Sequence, residues 1–238
     1  MPRSSSPVSP AAGFAYSRAQ FQQHVEDALA MARQLGASDA AVEVSEGVGL
    51  SVSVRKGESE NVERNRDKSM SITVYMGQRR GNASTSDFSR AALEQTVRAA
   101  HDIARFTAED SAAGLPEADD IATAAQAERD LDLFHPWAID AAGALEIALR
   151  CEAAALGVGK RITNSEGAGV SAQQSHFFAG NSRGFRGGYA SSRHSLSVAP
   201  IASSPGRRGD DMQRDAWYTS MRAPSELAAP EAVGRYAA

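Results

Sequence analysis

The stretch VEVSEGVGLSVSVR, Val42–Arg55, decides how this chain folds. Val42, Val44, Val48, Leu50, Val52 and Val54 occupy even positions, and Ser51, Ser53 and Arg55 fall between them. A period of two turns one face of a strand to a core and the other to water. Gly47 and Gly49 interrupt the run without shifting its parity, so the reading is one long strand with a bend. A meander continues from it: a hairpin turn at Lys56-Gly57-Glu58, a short polar strand over 61–65, and a second turn at Asp67-Lys68. Met70, Ile72, Val74 and Met76 then restore the even parity in a third strand, and a turn over 77–81 leads into a fourth over 82–87.

Helices flank this meander. Ser17-Arg18-Ala19-Gln20 has the form of a capping box, and Phe21, Val25, Ala28, Leu29, Ala32 and Leu35 follow as one apolar stripe that Gly36 ends. On the far side, Phe88 and Leu93 are placed as a hydrophobic staple around a helix start at Ser89, with Leu93, Val97, Ala100 and Ile103 as its stripe. Acidic residues then dominate a solvated linker, after which Asp140 caps a third helix with Leu145, Ala148, Leu149 and Leu156 as its stripe and Gly157 as its end. The Gly- and Ser-rich segment that follows reads as strands over 162–173, 175–179 and 185–201, and a last strand over 211–220 comes after a Pro205-Gly206 turn.

The fold class is therefore α+β: two repeated units of helix plus four-stranded antiparallel meander, with helices packed on one sheet face. The expected division is a disordered leader over 1–13, a first domain over 14–107, an acidic linker over 108–137, and a second domain over 138–228. Residues 229–238 read as the start of a helix leading into a further domain, with Pro230 at its first position.

Composition narrows the classes. Of 238 residues, 42% are hydrophobic and 23% charged, which is ordinary for a globular chain, and no apolar run approaches the roughly 18 residues of a membrane span. Net charge is −4 with no basic block, which weighs against nucleic acid as a partner. The polar, Pro-rich amino terminus is unlike a secretory signal, so a cytoplasmic location is expected. The one cysteine, Cys151, excludes an internal disulfide and reads as a small core residue.

Motifs for chemistry are sparse. None of the five histidines has a His or Cys at ligand spacing, so no metal or other cofactor is assigned to this chain. Ser192, Ser195 and Ser197 flank His194, but strand neighbours point to opposite faces, and no GxSxG elbow presents a serine. GNSRGFRGG lacks the Lys-Ser/Thr of a phosphate loop, and the Asn82-Ala83-Ser84 sequon carries no weight without a signal peptide. What remains is a surface of polar strands that an extended peptide could join, with Asn181, Arg183, Gly184, Arg193 and His194 as the candidate peptide or partner residues.

Four separated segments, ENVERNRDKSMSITVYMGQRRGNASTSD, DLDLFHP, KRITNSEGAGV and GNSRGFRGGYASSRHSLS, resemble the TldD/PmbA family, also labelled modulators of DNA gyrase, and within it the PmbA (TldE) branch. The resemblance runs from Phe21 to the last residue and covers the first two of the family's three regions, so it implies a truncated chain. It further implies peptide hydrolysis by a TldD–TldE heterodimer whose zinc sits on an HExxxH helix of the TldD partner. This chain would be the non-catalytic subunit that helps to enclose the chamber and accepts unfolded peptide. The rival readings are a binding protein that modulates gyrase or a toxin–antitoxin pair without proteolysis, and a self-sufficient enzyme using Arg193, His194 and a serine.

Overall fold

The computed structural model describes residues 13–204 and 212–238. The expected leader up to residue 12, the Pro205-Gly206 turn and the start of the last strand at Asp211 lie outside the described residues.

Helix α1 (Arg18–Gln34) begins on the capping box read from sequence: Ser17 Oγ accepts from the Gln20 amide at 3.3 Å, and Gln20 Oε1 accepts from the Ser17 amide at 2.8 Å. Gly36, with φ +85°, ends it. β1 (Asp39–Arg55), β2 (Glu58–Met76) and β3 (Arg79–Thr85) follow, then α2 (Arg90–Phe106), capped by Ser89. A four-residue helix, α3 (Ala124–Ala127), interrupts the acidic segment. Then come α4 (Ala141–Leu156), β4 (Ile162–Asn181), the two-residue β5 (Arg186–Gly187), β6 (Ala190–Ser203), β7 (Met212–Arg214), β8 (Trp217–Met221) and α5 (Pro230–Ala237). The strands form one sheet in the order β3-β2-β1-β4-β6-β7, with β5 on β4 and β8 on β6. The β2–β3, β4–β5, β6–β7 and β6–β8 pairs are antiparallel, which with the flanking helices makes the fold α+β. Among the described residues no helix is long and apolar enough to cross a membrane.

Two strand breaks expected from sequence are absent. Asp67-Lys68 is no turn, because β2 runs unbroken from Glu58 to Met76; it merges the expected second and third strands, so the expected fourth is β3. No residue over 58–69 is buried, so that part of the strand has no buried face to write an alternation. β4 likewise runs through the break expected at Gln174.

Chain contacts divide the protein into two compact units that interleave along the sequence. The first comprises the residues up to Gly47, Asp67–Leu131 and Ser175–Ala190. Its core sets Phe21, Val25 and Leu29 of α1 and Leu93 and Val97 of α2 against Val42, Val44, Met70, Ile72 and Val74 of the sheet. Each such side chain contributes about 1.5–3 kcal/mol when fully buried. Gly81 lets α2 close on β3, because a Cβ there would strike the Ala100 carbonyl.

The second unit comprises Val48–Arg66, Asp132–Gln174 and Ser191 onward. Its core joins Leu50, Val52, Val54, Val170, Leu196 and Val198 to the inner face of α4. That face is Ala144, Ala148, Cys151 and Ala155; the expected Leu145, Leu149 and Leu156 are only partly buried. The reason is close packing. α5 crosses α4 at Gly234, where a Cβ would meet the Cys151 carbonyl, and only small side chains allow that approach. Ile103 of α2 also departs from its expected stripe and is 47% exposed.

Candidate functional site

Asn181, Arg183 and Gly184 form one turn in the first unit. The Asn181 side chain is buried, and its Oδ1 accepts from the Arg183 and Phe185 amides, each at 3.0 Å, closing the turn from inside. Gly184 has φ +97°, a conformation that favours glycine. Arg183 donates to Asp39 Oδ2 at 2.9 Å and to the Pro116 carbonyl at 2.9 Å, while Ser182 Oγ donates to Asp39 Oδ1 at 2.7 Å. The Asp39 hydrogen bond raises the Arg183 pKa above its usual value. Behind the turn, Arg186 grips Glu26 through two bonds of 2.6 and 2.9 Å, which hold the Glu26 carboxyl below its ordinary pKa. Polarity that reads as a recognition surface is thus largely consumed in holding the turn on the start of β1.

Arg193 and His194 lie on β6 in the second unit and part to opposite faces, Arg193 exposed and His194 1% exposed. His194 Nε2 meets the His135 carbonyl at 2.9 Å and so is assigned as the donor, with the ring edge-on to Trp137 at 5.4 Å. Its Nδ1 is buried and has no partner among the described residues. Ser192 completes the contact: its amide donates to the Leu133 carbonyl at 3.0 Å, and its Oγ accepts from the His135 amide at 2.9 Å. The DLDLFHP segment is therefore laid along β6, and His194 positions backbone. Buried beneath the strand and committed to a carbonyl, it is no base for Ser195 on the opposite face.

Two buried carboxylates belong to no sequence motif. Glu46, 1% exposed, accepts from the Ala15 amide at 2.8 Å and the Tyr16 amide at 3.1 Å, immediately before α1. His176 approaches it at 3.4 Å, with its ring between Phe14 (4.2 Å) and Phe21 (4.4 Å). Burial lowers the His176 pKa, and the Glu46 contact opposes that shift. Glu152 of α4 accepts from the Lys56 and Gly57 amides at 3.0 and 2.8 Å. Glu46 did leave a signal, since it takes an even position in the alternating run of β1, where Val42, Val44, Leu50, Val52 and Val54 are buried.

The outer strand face of the first unit carries an open cavity of about 530 Å³ lined by Glu43, Ser45, Asp67, Ser69, Phe177 and Tyr189, among others. Among the described residues no three His, Cys, Asp or Glu side chains come together as a group that could hold a metal ion.

Two domain models of one family match the chain: PmbA/TldA metallopeptidase domain 1 over residues 40–104 and the PmbA/TldA metallopeptidase central domain over 134–238. The Metalloprotease PmbA of Escherichia coli O157:H7 is 47% identical over 213 residues, covering 88% of this chain and 46% of the relative. A Metalloprotease PmbA homolog of Haemophilus influenzae is 42% identical over 215 residues, covering 90% and 46%. The chain thus spans about half the length of the curated relatives it matches. In fold it is similar to a candidate modulator of DNA gyrase from Bacteroides thetaiotaomicron (TM-score 0.80, 20% identity, 91% of this chain and 48% of that one). It is also similar to TldE of Thermococcus kodakarensis (TM-score 0.69, 12% identity, 90% and 46%). With both domain models matched in order and this level of identity to its relatives, the chain belongs to the TldD/PmbA family and carries the first and central domains of that family.

Proposed function

We propose that this chain is the non-catalytic, peptide-accepting part of a TldD/TldE-like metallopeptidase assembly, in which the TldD-type partner supplies the zinc and the cleavage. The observation that carries the reading is the 47% identity to a protein named Metalloprotease PmbA, sustained across both matched domains. The local chemistry is compatible with acceptance of a peptide. His194 and Glu152 are committed to backbone groups and Asn181 closes its own turn, whereas Arg193 stands exposed on β6 and is the proposed contact residue, joined in the proposal only by the exposed backbone of the Arg183-Gly184 turn.

The test is to mix the protein with a TldD-type subunit and to follow both co-elution in size exclusion and cleavage of an unstructured peptide. Co-elution, together with cleavage that needs both subunits and stops on chelation, is expected. Failure of a version spanning the whole length of the relatives to associate would overturn the proposal.

A further inference from the structure

We propose that the cavity on the outer strand face of the first unit receives a cationic side chain, lysine or arginine, of an extended peptide, held between the Glu43 carboxylate and the Phe177–Tyr189 ring pair. This inference rests on the peptide-accepting role and names the residue class the site takes. At about 530 Å³ the cavity has room for a long side chain and its flanking backbone. Strand alternation builds it. Val42, Val44 and Phe178 turn to the core, so Glu43, Ser45, Ser175 and Phe177 stand on the other face, while Gly47 and the buried Glu46 and His176 also border the cavity.

One wall is aromatic. Phe177 and Tyr189 meet edge to face at 4.7 Å and 78°, the Phe177 amide donates to the Tyr189 carbonyl at 3.3 Å, and Tyr189 is 45% exposed. A ring so presented offers its face to a cation. The opposing charge is negative: the exposed Glu43 side chain makes no hydrogen bond or ion pair among the described residues, and Asp67 and the buried Glu46, each with partners of its own, also line the cavity. Lys68 also lines the cavity and keeps its positive charge, but its ammonium donates to Tyr16 Oη at 2.9 Å and lies 4.8 Å from the centre of the Phe88 ring, which turns it toward those rings and leaves acidic residues in the majority around the cavity. An anionic side chain would be repelled by the Glu43 carboxylate. A neutral one would gain the ring and leave Glu43 unanswered.

Fluorescence anisotropy tests this with the full chain and three labelled Gly/Ser-based peptides that differ only in a central lysine, norleucine or glutamate. The lysine peptide should bind about tenfold more tightly than norleucine, with glutamate weakest. Glu43→Gln should bring lysine close to the norleucine value and leave norleucine unchanged, whereas Tyr189→Leu should weaken lysine more than norleucine and so narrow the gap between them. Both positions are exposed, and an unchanged urea midpoint confirms that each variant is folded. Equal affinity for lysine and norleucine, or a lysine preference that survives both substitutions, overturns the inference while leaving peptide acceptance standing. Absence of binding by every peptide overturns both.

Discussion

Replacing Glu152 with glutamine should destabilise the second unit by about 2–4 kcal/mol, although the two side chains have nearly the same shape. Glu152 is 1% exposed, and its oxygens accept from the Lys56 amide at 3.0 Å and the Gly57 amide at 2.8 Å. Those amides belong to the two-residue turn between β1 and β2, where Lys56 and Gly57 both have positive φ, 55° and 78°. A lysine resists that conformation, so the carboxylate holds a turn that the local sequence does not favour. Glutamine offers one oxygen, leaving one amide with a neutral acceptor and turning an NH2 donor toward the other. A hydrogen bond to a charged group is worth about 1.5–3 kcal/mol and a neutral one about 1. Loss of one charged bond and weakening of the other give the stated range, and relief of the buried charge trims its upper end. The two tryptophans, Trp137 and Trp217, both belong to the second unit, so their fluorescence reports its urea unfolding directly. At a slope of about 2 kcal/mol per molar urea, the midpoint should fall by roughly 1–2 M. A shift equivalent to less than about 0.5 kcal/mol at unchanged slope would refute the assignment of Glu152 as the clamp of this turn.

Two further outcomes follow from buried titratable groups. Burial holds the native His176 pKa below 6.5, so the unfolded chain binds that proton more readily; this contribution is complete above pH 6.5 and declines as pH falls toward the native value. His176→Phe should keep the ring stack and flatten this part of the pH dependence in urea titrations followed by circular dichroism, and identical slopes in the two proteins would contradict it. The Cys151 thiol is pushed up to about 12, chiefly by burial, and so is neither ionised nor accessible in the native state. Native protein should resist an aromatic disulfide reagent at pH 8 and react only as fast as the second unit opens in urea, whereas labelling at the rate of a free thiol would show that the α4–α5 contact is not closed.

What the sequence revealed depended on whether an element has one buried face. α1, α2, β1 and the later half of β2 each pack a single side, so their apolar residues recur at the helical or strand period and could be read directly. The first half of β2 has no buried face, and the Asp67-Lys68 pair inside it therefore looked like a turn. α4 failed for the opposite reason. AAGALEIALRCEAAAL is apolar on nearly every side, so leucine content could not reveal that the alanine side must face inward to admit Gly234 of α5. At the candidate site the turn at Gly184 was legible, because glycine and asparagine carry that conformation in their own chemistry. The partner of Arg183 was not, since Asp39 lies on a strand far back in the chain. Parity did allow the burial of His194, which shares the even register of Ser192, Leu196 and Val198.

The two buried carboxylates explain how such an apolar sheet face selects its connections. Leucine at either position would add apolar burial and remove the desolvation of a charge, so total stability alone does not favour glutamate. Each glutamate instead takes two consecutive backbone amides that no strand or helix ladder can satisfy: Ala15 and Tyr16 ahead of α1, and Lys56 and Gly57 in the β1–β2 turn. An apolar contact tolerates sliding, but a carboxylate bonded to two adjacent N–H groups accepts one register only. The entry of α1 and the turn of the hairpin are thereby fixed relative to β1 and α4, each within its own unit. Because β1 also carries Glu43 and Asp39 on its other side, a strand held in one register presents the cavity carboxylate and the Arg183 partner at fixed positions. The core clamp therefore fixes where the strand they share places both of these acidic side chains.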